Sequence, residues 1–90
     1  MSAASHAAIL RERLADGEDR AAYYERSIER LEALCALPVH SEAALRKLRF
    51  ELDCRREQLA DLRLEIASRE AVLANIERAH ERADTHAEAA

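Results

Sequence analysis

From Leu45 to Ala83 the chain repeats along one narrow stripe: Leu45, Leu48, Leu52, Arg55, Leu59, Leu62, Ile66, Arg69, Leu73, Ile76, His80 and Ala83. The steps alternate between three and four residues, and nine of the twelve positions are apolar. A spacing that averages 3.5 residues keeps one edge of an α-helix turned toward a neighbouring helix over many turns, which is a coiled-coil seam. Such a segment cannot be a strand, and it demands a second helix.

Composition agrees with an all-helical chain. Among 90 residues glycine and proline occur once each, and the aromatics are only Tyr23, Tyr24 and Phe50. Ala, Leu, Glu and Arg dominate, the usage of long helices. Fourteen basic residues are interspersed with 18 acidic ones for a net charge of -4, so no broad cationic field exists to hold phosphates. No apolar run approaches the roughly 20 residues needed to cross a bilayer, and Met1 onward lacks the basic and apolar blocks of a signal peptide. These features set the expectation of a cytoplasmic location. Cys35 and Cys54 make no metal spacing and read as small apolar residues.

A second heptad precedes the first: Ala7, Leu10, Leu14, Gly17, Ala21, Tyr24, Ile28, Leu31 and Cys35. Its phase passes unbroken through Ala15-Asp16-Gly17-Glu18-Asp19, which favours one continuous helix with a weak point at Gly17; the competing reading is a break there, with Asp16 capping a second helix. The punctuation comes at Leu37-Pro38-Val39-His40-Ser41. Pro38 cannot continue a helix and pushes Leu37 out of the helical region, and Ser41 suits an N-cap. So short a connection makes the two helices antiparallel neighbours. The expected chain is a hairpin over residues 7–82, with a helix over 7–36, a turn at 37–41 and a helix over 42–82. Residues 1–6 and 83–90 carry no seam and are expected to fray.

Folding the hairpin symmetrically about Pro38 predicts the facing layers Leu31 with Leu45, Ile28 with Leu48, Tyr24 with Leu52, Ala21 with Arg55, Gly17 with Leu59, Leu14 with Leu62, Leu10 with Ile66 and Ala7 with Arg69. Both seam arginines then face alanines, which leave room for their stems to lie along the seam. The flanks would pair Glu25 with Arg49, Glu18 with Arg56 and Arg13 with Glu65. A slip of one full heptad would also preserve the repeat. In this register the second helix outruns the first by roughly eleven residues, about 16 Å. Leu73 and Ile76 would then continue the seam with nothing opposite them.

Other apolar residues lie off the seam: Ile9, Tyr23, Leu34, Leu37, Phe50, Cys54, Leu64 and Val72. Two helices bury one stripe each, so these call for a second copy or a helical partner that completes a bundle. The candidate partner-binding set is Leu34, Leu37, Phe50, Cys54, Leu64, Val72, Leu73 and Ile76. Catalytic chemistry finds no footing: the chain shows no glycine-rich phosphate loop and no nucleophile with a base in sequence reach. His6, His40, His80 and His86 raise a metal centre, and Glu77 with His80 has a di-iron spacing, but a carboxylate-bridged bundle site needs two such motifs on facing helices. No cofactor is expected. Arg46, Lys47, Arg49, Arg55 and Arg56 form the densest basic patch, interleaved with Glu51, Asp53 and Glu57, which disfavours nucleic-acid binding.

The expectation is therefore a non-enzymatic adaptor or chaperone that binds another helical protein along an exposed apolar stripe. The alternative is a homodimeric coiled-coil scaffold, and nucleic-acid regulation ranks below both. In size and hairpin shape the chain resembles the small co-chaperones that hold type III secretion needle subunits, a resemblance of architecture.

Overall fold

The computed structural model describes residues 2–89, with side chains for all of these but residue 3 and residues 86–89. It contains two helices, α1 (Ala3–Ala36) and α2 (Glu42–Ala89), packed as an antiparallel hairpin 73 Å long and 19 by 15 Å in section. Helix α1 runs without interruption through Gly17, so the chain has no break there and Asp16 caps no second helix. It begins four residues before the expected start at Ala7, because Ser2 accepts a hydrogen bond from the Ser5 N–H at 3.2 Å and caps the first turn. Helix α2 continues past the expected end at Arg82 to Ala89. Residue 90, the end of the expected C-terminal tail, lies outside the described residues.

The connection lies at Leu37–Ser41, where Pro38 forces it. Leu37 leaves α1 extended, with φ -70° and ψ 133°, the conformation imposed on a residue before proline. The end of α1 is closed by two donors to one carbonyl. The Leu37 N–H reaches Leu34 O at 3.2 Å, and His40 Nε2 donates to the same oxygen at 2.8 Å. Ser41 then caps α2, its Oγ accepting from the Ala44 N–H at 3.2 Å.

The core is a single stripe. Ile28, Leu31, Leu52 and Leu59 form its centre, with Ala21, Tyr24, Cys35 and Leu48 packed against them. Ala7, Leu10 and Leu62 are also buried. Among the described residues no side chain is completely buried, as expected when two helices share one seam and both remain wet on the outside.

The register differs from the symmetric fold by one heptad. Gly17 lies against Ile66, whose Cγ1 would stand 3.1 Å from a Cβ built on the glycine, where the symmetric register placed Leu59. Ala7 and Ile76 line one shallow groove at the open end of the hairpin, where the symmetric register set Ala7 opposite Arg69. The same register sets Leu31 opposite Leu52, Tyr24 opposite Leu59, Ala21 opposite Leu62 and Leu10 opposite Leu73. Relative to expectation, α2 has slid about 10 Å along α1. The extended Leu37-Pro38 step is the local cause, since it carries the chain beyond the end of α1 before α2 begins.

Burial favours the slip. Leu73 and Ile76 gain Leu10 and Ala7 as partners and become half-buried, while Ala7 and Leu10 are 5% and 6% exposed. Each fully buried leucine or isoleucine stabilises by about 1.5 to 3 kcal/mol, and part of that is gained here at two layers. Against it stands Arg55, now opposite Ile28 instead of an alanine. Its Nη1 donates to Gln58 Oε1 at 2.9 Å, but its buried Nε has no hydrogen-bond partner.

Candidate interaction surface

The heptad positions divide the hairpin into two broad faces. With a and d in the seam, the e positions of two antiparallel helices line one face and the g positions the other. On the e face Arg11 pairs with Glu77 at 2.9 Å, Glu25 with Arg63 at 2.8 Å and Glu32 with Arg56 at 3.0 Å. The expected pairs Glu25 with Arg49, Glu18 with Arg56 and Arg13 with Glu65 are not among them: Glu25 and Arg56 each pair two heptads from the expected partner, one heptad from the slip and one from pairing along the other diagonal of the seam. All three observed pairs are about half exposed, so each contributes at most about 1 kcal/mol. They nevertheless cover the seam from this side with long charged stems.

The g face carries no interhelical ion pair among the described residues. Its g positions include Leu34 on α1 and Val72 on α2, and the adjoining c positions include Tyr23 on α1 and Cys54 on α2; Leu37, extended just past the end of α1, holds no heptad position. Leu34 is 39% exposed, Leu37 49%, Val72 42% and Tyr23 58%, while Cys54 is half-buried. Tyr23 stacks edge-on against Tyr24, ring centroids 5.9 Å apart, and that contact holds its ring at the margin of the seam.

The expected partner-binding residues therefore separate into four groups. Leu34, Cys54 and Val72 share the g face, while Leu37 lies exposed just past the end of α1. Phe50 and Leu64 occupy f positions on the outer side of α2, exposed at 72% and 71%, and do not join that face. Leu73 and Ile76 belong to the hairpin's own seam, a correction that follows from the register: the overhang that singled them out does not exist. What α2 does project beyond Ala3 begins near Glu81, and Glu81, Arg82, Ala83, Asp84 and Thr85 are all exposed. Val39, 77% exposed at the tip of the turn, escaped the sequence reasoning because it lies outside both heptads.

Other candidate chemistry stays dispersed. Among the described residues no three His, Cys, Asp or Glu side chains gather as a metal would require. His40 closes α1, His80 stands 3.9 Å from Asp84, and the His86 side chain lies outside the described residues. Cys35 and Cys54 are both free. The slip brings the level of Cys35 to that of Leu48, about 9 Å along the axis from Cys54 rather than about 20 Å, still beyond disulfide reach. Within the basic patch Arg56 is engaged by Glu32 and Asp53, and Arg55 by Gln58. Among the described residues no helix is long and apolar enough to cross a membrane. Compared with known proteins, the chain matches no family model, no curated protein and no solved structure.

Proposed function

We propose that this chain is a non-enzymatic protein-interaction module, an adaptor or chaperone that receives an α-helix on the g face of its hairpin. The observation that carries the proposal is the asymmetry of the two faces. The e face is bridged three times by ion pairs, whereas the g face presents Tyr23, Leu34 and Val72 with no interhelical pair among the described residues. A hairpin only 15 Å deep has no second layer of its own to cover that face. A helix lying in the groove between α1 and α2 would bury these side chains at both ends of the groove, the helix-in-groove mode of recognition. Arg13, Arg20, Glu51 and Glu65, which occupy the middle g positions, would reject partners of the wrong charge pattern.

Photo-crosslinking in the source cells tests this. A photoreactive residue in place of Tyr23 should give an adduct with a second polypeptide, while the same residue in place of Glu18, on the e face, should not. Equal yields from the two sites, or none from either, would refute the assignment.

A further inference from the structure

We propose that the occupant of the g face is a second copy of this chain, packed g face to g face about a two-fold axis parallel to the long axis of the hairpin. The proposal rests on the helix-docking reading above and names its partner. Its first support is charge. On the g face the α1 edge carries Arg13 and Arg20, and the α2 edge carries Glu51 and Glu65, all exposed. A face that is basic along one helix and acidic along the other is complementary to itself when α1 of one copy lies over α2 of the other.

Charge also selects the axis. Rotation about the long axis keeps every residue at its own level and lays α1 over α2, so in the register above Arg20 meets Glu65 of the second copy, with Arg13 over its Val72 and Leu34 over its Glu51. Rotation about a perpendicular axis would instead lay α1 over α1 and α2 over α2, basic edge against basic edge and acidic edge against acidic edge. Like charges directly opposed disfavour that arrangement. The chosen axis makes all neighbouring helices antiparallel, the arrangement of a four-helix bundle.

Surface area is the second support. The chain exposes 6865 Å² at 10.2 kDa, whereas a compact monomer of this mass exposes about 5,300 Å². The surplus exceeds the roughly 800 Å² that each partner contributes to a standard stable interface. A second hairpin of the same length laid along the groove covers it over its whole extent.

The test begins with the unmodified protein, whose mass by light scattering should be twice 10.2 kDa. The Leu34→Glu/Val72→Glu variant should return it to the single-chain mass with helicity retained, because neither residue lies in the seam. Spin labels at Val39→Cys, in a chain carrying Cys35→Ala and Cys54→Ala, then read the axis. The long-axis dimer places both turns at one end, with labels about 30 Å apart or less, whereas the perpendicular axis separates them by about 50 Å or more. A dimer with the long separation overturns the packing. A monomer that still yields a Tyr23 adduct of unrelated mass overturns the second copy as occupant and leaves helix docking standing. A monomer with no adduct removes both.

Discussion

Replacing Glu70 with arginine probes the register through a single rung of the e-face ladder. The observed ion pairs set the rungs at Arg11 with Glu77, Glu25 with Arg63 and Glu32 with Arg56. The same spacing puts Glu18 opposite Glu70, the one rung with like charges. Both glutamates have only apolar residues three and four positions away in their own helices. Those neighbours are Leu14, Ala15, Ala21 and Ala22 for Glu18, and Ile66, Ala67, Leu73 and Ala74 for Glu70. The substitution therefore reports on the facing helix almost alone, and helix propensity barely changes. Removing a half-exposed repulsion and adding a half-exposed pair should stabilise the hairpin by about 0.5 to 1 kcal/mol. For a chain of this size that raises Tm by about 2 to 6 °C. Thermal unfolding followed by circular dichroism, at one protein concentration and low salt, measures the gain. Raising salt to about 1 M shortens the screening length to about 3 Å and should erase most of it. In the symmetric register Glu70 would instead face Arg11, and the new arginine would oppose a like charge. A Tm that falls at low salt and recovers at high salt would refute the slipped register and the layer assignments built on it.

Three further outcomes follow from the packing. Arg55→Leu should be neutral or stabilising by about 1 kcal/mol in urea unfolding, because it replaces an unpartnered buried Nε with an apolar group against Ile28; a clear loss of stability would show that the guanidinium holds an essential contact. Gly17→Ala should stabilise by about 0.5 kcal/mol, the helix propensity gain of up to about 1 kcal/mol being partly offset as the half-buried Ile66 side chain gives way from 3.1 Å; a lower urea midpoint would mean that Ile66 cannot move. Leu73→Glu with Ile76→Glu should lower helicity and Tm together, since both residues pack within the hairpin; unchanged stability would return them to a solvated overhang.

The two heptads and Pro38 by themselves determined the helical hairpin and its turn at residues 37–41, and favoured without deciding the continuity of α1 through Gly17. These are local or nearest-neighbour properties: period, capping and proline sterics act within a few residues. The off-seam residues Leu34, Leu37, Cys54 and Val72 were also legible as residues left over from the seam. What only the tertiary structure decided was the register, and with it which residues remain unpartnered. The physical reason is degeneracy. Glu18, Glu25 and Glu32 recur every seven residues, as do Arg49, Arg56 and Arg63, so a slip of one heptad trades each rung for an equivalent one and charge pairing alone cannot choose. The choice falls to layers far apart in the chain, where Gly17 admits Ile66, and Ala7 and Leu10 draw Ile76 and Leu73 into the seam. The extended exit at Leu37 made that slip reachable, and no residue of the turn announces how far it carries the chain.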